Sequence, residues 1–196
     1  MLRYIDIHTH SPRLDVTSPT MAGIHPWDAE KSVEMPQFEG CDFVGETGLD
    51  YASSVDKLCQ EELFRAHLAI ATGLHKPVVL HVVKAVEQTL KILDEYSGVE
   101  GVVFHSFIGS WQQAERCLQR GYYLSFGRRS LASTKTRSVI AKMPIEWLFC
   151  ETDNTSDSDS IRIEDVYAEV AAIRCIAIEE LCGAIEKNYS RLFTKY

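Results

Sequence analysis

The 196-residue sequence has no uninterrupted apolar stretch approaching the roughly 18 residues of a membrane span. A transmembrane helix and a membrane partner are therefore not expected. No leader-like apolar run follows Met1, which leads directly into Leu-Arg-Tyr-Ile-Asp, so the expected compartment is the cytoplasm. The six cysteines, Cys41, Cys59, Cys117, Cys150, Cys175 and Cys182, include no C-x-x-C pair, and four lie in apolar or amphipathic runs. Free thiols acting as small hydrophobes are expected, not disulfides. Basic residues are in deficit, 20 against 28 acidic ones for a net charge of -8, which excludes capture of a polyanion by the surface as a whole. Internal repeats and linkers are missing, and the only loop-like enrichment is residues 153–160. With 45% hydrophobic residues, the chain is expected to form one domain over residues 1–196 around a sizeable core, with no obligate protein partner evident.

Short β-branched or aromatic runs recur at residues 4–7, 21–24, 43–45, 78–83, 102–104, 122–126 and 147–150, giving seven strand candidates. Helix-length segments separate most of them. In residues 85–96, for example, Val86, Leu90 and Leu93 recur at i, i+4 and i+7 and form one apolar face. Strand followed by helix, repeatedly, means a parallel sheet. The runs at 78–83 and 102–104 are apolar without alternation, as expected when both faces are covered, which favours a closed barrel or a doubly wound sheet. No G-x-G-x-x-G or Walker A sequence comes after any strand, so the commonest nucleotide signatures of the open sheet are missing.

The strand ends carry histidine and carboxylate instead. His8 and His10, two apart at the end of the first candidate strand, leave the same face of it. Glu46 ends Phe-Val-Gly-Glu, His81 ends Pro-Val-Val-Leu-His, His105 ends Gly-Val-Val-Phe-His, and Asp153 comes directly after Trp-Leu-Phe-Cys-Glu-Thr. Each lies at the carboxyl end of its own strand, the rim where a parallel barrel gathers its catalytic groups. Four imidazoles and two carboxylates partly desolvated in one place require pairing or coordination. Divalent cations supply it, and the donor set suffices for two metals if one carboxylate bridges them, with Mg, Mn and Zn all acceptable.

The residues carrying this pattern resemble the TatD-like metal-dependent hydrolases of the amidohydrolase superfamily. The likeness runs through Ile5-Asp6-Ile7-His8-Thr9-His10, Gly23-Ile24-His25-Pro26, Gly45-Glu46-Thr47-Gly48-Leu49-Asp50-Tyr51 and Lys76-Pro77-Val78-Val79-Leu80-His81. It continues through His105-Ser106-Phe107-Ile108-Gly109-Ser110, Tyr122-Tyr123-Leu124-Ser125-Phe126-Gly127, Glu151-Thr152-Asp153 and Asn188-Tyr189-Ser190-Arg191-Leu192-Phe193. The resemblance implies an α/β fold of the TIM-type (β/α) barrel, two divalent ions at its mouth, and hydrolysis of DNA, single-stranded or at an end, in an exonuclease-like manner. It also implies His8, His10 and Asp153 as ligands of one metal, His81 and His105 as ligands of the other, and Glu46 as the bridge. Asp153 can share itself between a metal and a hydrogen bond, which makes it the candidate general base.

The sequence departs from the family in several places. Only residues 11–22 separate the His-x-His from Gly-Ile-His-Pro, where family members carry a longer stretch, so a barrel shortened near the N-terminus with about seven strands is expected. Val83, followed by Lys84, stands where the family often has an arginine; Ser106 stands where cysteine is common, and Asn154-Thr155 replace a small residue and proline. Substrate preference can move with these changes while hydrolysis remains.

Further candidates surround the constellation. His25 could touch a substrate phosphate or orient a ligand, whereas His67 and His75, on the expected helix over residues 56–74 or at its end, read as structural. Trp27 and Tyr51 come after strand ends and could stack on a base or simply pack. Arg128, Arg129, Lys135, Arg137 and Lys142 form the one basic patch, with Arg128 and Arg129 placed to start at the catalytic rim and contact phosphate. Asp157, Asp159, Glu164 and Asp165 read as loop and helix N-terminal charge. Two alternatives stand beside the nuclease: a metal-dependent ester or amide hydrolase, such as a D-aminoacyl-tRNA deacylase, because metals polarise a carbonyl as readily as a phosphoryl oxygen, and an inactive barrel scaffold. Six ligand-type residues at strand ends argue against the scaffold.

Overall fold

The structure, a computed structural model, describes residues 2–155 and 161–193. The chain divides into two compact units, a central one, Pro19–Phe104, and a terminal one made of Met1–Ser18 and His105–Tyr196. Among the described residues no helix is long and apolar enough to cross a membrane.

The central unit holds strands β1 (Met21–Ala22), β2 (Phe43–Asp50), β3 (Val78–Val83) and β4 (Val102–Phe104), with helices α1 (Lys57–Leu74) and α2 (Val86–Leu93) between them. All neighbouring pairs are parallel, in the order β1-β2-β3-β4. Val78, Val79 and Leu80 of β3 and Val102, Val103 and Phe104 of β4 are buried, which is why these strands read as continuous apolar runs. The strand expected at residues 43–45 continues to Asp50. Its glycines break the sequence pattern but suit the backbone: Gly48 has φ +136, and a Cβ there would meet the carbonyl oxygen of His81 at 2.2 Å. Helix α1 begins at the Asp56 cap, whose carboxylate accepts from the N–H groups of Leu58 and Cys59, and ends at His75 in the left-handed conformation (φ 54). Its buried stripe is Gln60, Phe64, His67, Leu68 and Ala71, the i, i+4, i+7 pattern of one helix face.

The terminal unit contains α3 (Trp111–Leu118), β5 (Tyr123–Phe126), α4 (Arg128–Leu131), α5 (Thr134–Lys142), β6 (Leu148–Cys150), α6 (Ile163–Arg174) and α7 (Ile178–Phe193). Strands β5 and β6 are parallel, pairing Leu124 with Leu148 and Phe126 with Cys150. Asn188 on α7 donates to the carbonyls of Ile145 and Leu148 and so ties the last helix to the entry of β6.

Residues 4–7, expected as a strand, make a single bridge between Ile5 and Thr17, so the described residues hold six strands and not seven. The reason is a division of the backbone among unlike partners. Asp6 N–H donates to Thr17 and Ile7 N–H to Cys150 (2.9 and 3.1 Å), while the Tyr167 hydroxyl donates to Ile5 O and accepts from Ile5 N–H (3.0 and 3.1 Å). A tyrosine hydroxyl thus stands where a neighbouring strand would be. All six cysteines are free, as expected. The acidic residues Asp157 and Asp159 lie outside the described residues.

His67 is buried in α1, its Nδ1–H donating to Leu63 O at 2.8 Å and its Nε2 accepting from Ile24 N–H at 3.0 Å, beside His25 in sequence. Burial lowers its pKa, outweighing the bond to Leu63. The neutral ring is the one that can accept from Ile24, so this contribution to stability is complete above the unfolded value of 6.5 and is lost as the pH falls below it toward the depressed folded value. His67→Gln, which retains an acceptor and a donor, should flatten the fall in unfolding free energy between about pH 6.5 and pH 5, measured by urea denaturation against the wild type. Tyr167→Phe should cost about 1–3 kcal/mol in the same assay, because it orphans both backbone groups of Ile5 in the core.

Candidate metal centre

In the terminal unit the segment after Ile7 lies along the end of β6, because Asp153 N–H donates to His8 O at 3.1 Å and His10 N–H to Asn154 O at 2.9 Å. That pairing brings two imidazoles to one carboxylate: Nε2 of His8 lies 3.4 Å, and Nε2 of His10 3.7 Å, from the same Asp153 Oδ1. The three ligand atoms lie within 4.8 Å of one another, and the two nitrogen–oxygen distances of 3.4 and 3.7 Å are ones that bonds of about 2.0–2.2 Å to a single divalent ion can bridge. His8 is fully buried, whereas His10 and Asp153 face solvent in part. Asp153 takes the left-handed region, φ 54, which aspartate tolerates better than most residues.

Two buried carboxylates back this cluster. Glu151, two residues before Asp153, is fully buried; its Oε1 lies 3.5 Å from His105 Nδ1, and its Oε2 accepts from the Ser125 hydroxyl. His105 in turn packs against His8 with ring centroids 4.3 Å apart. Asp6 accepts from Thr152 N–H and from the Thr152 hydroxyl at 2.9 and 2.6 Å. Burial pushes Asp6 up to about 7 against those two hydrogen bonds.

In the central unit the donors converge on Glu46. His81 Nδ1 lies 2.8 Å and His25 Nε2 3.4 Å from Glu46 Oε1, and these three ligand atoms also lie within 4.8 Å of one another. On the other side of the His81 ring, Nε2 lies 3.3 Å from Asp50 Oδ2. Glu46 and Asp50 both project from β2 onto the residue that Gly48 opposes in the ladder, His81. A neutral ring can donate to only one of two flanking acceptors. The other carboxylate then requires a positive charge, either a second ring proton or a cation, so nitrogen and carboxylate oxygen here fit a divalent ion. Asp50 stays ionised: burial alone would raise its pKa, but donation from Trp27, from the Ala52 N–H and from His81 lowers it. His25 is a different kind of group. Its Nδ1 accepts from Trp27 N–H at 3.2 Å, so its proton sits on Nε2 and the ring presents a donor.

Among the expected substrate contacts, Arg128 and Arg129 line a cavity of about 170 Å³ together with Asp153, Ser106, Thr152 and Asn154. Tyr51 is engaged elsewhere, its hydroxyl donating to Glu61 at 2.5 Å and its ring lying under Lys57 Nζ at 4.7 Å. Trp27 donates from its indole to Asp50 Oδ2 at 2.7 Å. His75 caps α1 and pairs with Glu100. Asp50 and Glu151 are not singled out by the sequence reading, although their spacing signals them: each shares strand periodicity with a selected residue, Asp50 four after Glu46 and Glu151 two before Asp153.

Known proteins align with this architecture. The metal-dependent hydrolase YcfH of Escherichia coli K12 is 30% identical over 190 residues, covering 87% of this chain and 72% of its own. A protein of Citrobacter rodentium named 3'-5' ssDNA/RNA exonuclease TatD is 33% identical over 148 residues, 67% of this chain and 55% of its own. Among solved structures, the TatD homologue YJJV of Escherichia coli K12 superposes with a TM-score of 0.81 at 26% identity, covering 99% of this chain and 87% of that one. A TatD family hydrolase of Entamoeba histolytica shares the fold, with a TM-score of 0.77 at 20% identity over 93% and 76% of the two chains. The fold class is thus α/β of the TIM-barrel type. A family model described as TatD related DNase matches residues 6–194, and the chain belongs to that family of metal-dependent hydrolases.

Proposed function

We propose that this protein hydrolyses phosphodiester bonds of DNA from an end, using two divalent ions, Mg, Mn or Zn. The observation that carries the reading is the pair of carboxylate–imidazole groups, His8, His10 and Asp153 in the terminal unit and Glu46 with His81 in the central unit. His105, packed on His8, is kept as a ligand on the strength of the family resemblance. The exonuclease named among the relatives supports the substrate class.

When bound, divalent ions lower the pKa of a water molecule and neutralise the non-bridging oxygens of a phosphodiester. Asp153, partly exposed and touching two imidazoles through one oxygen, accepts the proton that the attacking water loses. His25 offers its Nε2–H to a phosphate oxygen, the role left to it once Nδ1 is taken by Trp27. Arg128 and Arg129 face the cavity beside Asp153 and position the strand by its phosphates. They stand in a chain of net charge -8, so the attraction is local to the site.

The test uses single-stranded DNA labelled at either end with protein loaded separately with Mg, Mn or Zn. Mononucleotides should be released, a chelator should stop the release, and Asp153→Asn should slow it by about 10²- to 10⁴-fold. An oligonucleotide left intact under all three metals overturns the nuclease reading in favour of the ester or amide alternative. Arg128→Ala and Arg129→Ala should each raise KM by up to about tenfold with little change in kcat, and should make the log–log salt dependence shallower by about 0.7 per arginine removed.

A further inference from the structure

Trp27 is 56% exposed, yet both of its N–H groups are committed to neighbours of Glu46. Its backbone N–H donates to His25 Nδ1, and its indole N–H donates to Asp50 Oδ2. The ring lies edge to face with both histidines, centroids 4.5 Å from His25 and 5.8 Å from His81.

Asp50 is held in place from every side. Its Oδ1 accepts from Ala52 and Ser53 N–H at 2.9 and 3.2 Å, and its own N–H donates to Gln60 Oε1 at 2.7 Å. Gln60, fully buried, returns a bond from Nε2 to Asp50 O at 3.1 Å. A carboxylate fixed in this way has only Oδ2 to offer, shared between the indole N–H and His81 Nε2. Both flanking carboxylates only accept, so a neutral His81 gives its one proton either to Glu46 from Nδ1 or to Asp50 from Nε2; were a cation held at Glu46, the proton would go to Asp50 and the Nδ1 lone pair would be left for the cation.

We propose that Trp27 is a positioning residue that sorts two imidazoles into opposite roles: through its backbone it makes His25 a proton donor, and through Asp50 it makes His81 a metal ligand by way of Nδ1. The inference rests on the metal-dependent reading above and concerns how one ligand is oriented within it. Such outer partners fix the tautomer and ring orientation of a ligating histidine, and losing one costs about 10- to 100-fold in metal affinity.

Trp27→Phe keeps an aromatic ring and the backbone N–H while deleting the indole donor along with part of the ring; Asp50→Asn alters the acceptor itself. Zinc affinity is measured by competition with a chromophoric chelator. The protonation of His81 in the zinc-loaded protein is read from ¹⁵N shifts of the imidazoles, assigned by the signal lost in His81→Ala. The wild type should show Nε2–H on His81. Trp27→Phe should weaken zinc binding about 10-fold or more and broaden or shift the His81 nitrogens, while the urea midpoint stays near that of the wild type because the ring is half exposed. Wild-type affinity and unchanged His81 shifts in Trp27→Phe overturn the inference while leaving the metal reading intact. Failure of the wild type itself to bind zinc, manganese or magnesium overturns both.

Discussion

The placing of imidazoles against carboxylates organises both units of the chain. His81 meets Glu46 at one nitrogen and Asp50 at the other; His105 meets Glu151 at Nδ1; His8 and His10 meet a single oxygen of Asp153. The carboxylates are themselves anchored to backbone or hydroxyl donors, as with Asp50 on Ala52 and Ser53 and Glu151 on Ser125. Fixed acceptors leave the rings little freedom to turn. A site with its ligands oriented before the ion arrives loses less conformational entropy on binding it, and the cost of keeping it so is carried by the buried polar bonds beneath.

The spacing that makes this work is that of a strand. Alternate residues of β2 share a face, so Glu46, Gly48 and Asp50 line one side, and the missing side chain at Gly48 makes the room in which β3 comes close at His81. Replacing the middle residue by anything with a Cβ would push His81 away from both carboxylates at once, since that atom would stand 2.2 Å from the His81 carbonyl. The Glu-x-Gly-x-Asp spacing is therefore one device, an acceptor on each side of an imidazole with a gap between them.

Much of this is legible in the sequence. The continuous apolar runs locate β3 and β4 to the residue, and the histidines and carboxylates at the strand ends identify the groups that cluster within each unit. Residues 4–7 mislead because β-branched composition reports a half-buried extended backbone without saying what satisfies it; here a tyrosine hydroxyl from α6 takes the place of a strand at Ile5. Asp50 and Glu151 stay hidden because a carboxylate set against a histidine ring has no sequence mark except its distance from a neighbouring candidate. Trp27 reads as an aromatic that could stack on a base or simply pack, since nothing in the order of residues reveals where an indole N–H is aimed.

Substrate preference depends on the positions where the chain leaves its family's pattern, and one of them has a physical account. Asn154, in place of a small residue, holds Ile161 with both ends of its amide: Nδ2 donates to Ile161 O at 2.9 Å and Oδ1 accepts from Ile161 N–H at 3.1 Å. Its backbone carbonyl meanwhile receives His10 N–H. Where proline would restrict the backbone through φ, two side-chain bonds here tie Asn154, next to Asp153, to Ile161. Ile161 also lines the cavity with Arg128, Arg129 and Asp153, so these two bonds hold one wall of it. Substitutions at Asn154 or Ile161 therefore change this cavity before they change His8, His10 or Asp153, a physical route by which substrate preference can shift while the proposed chemistry is kept.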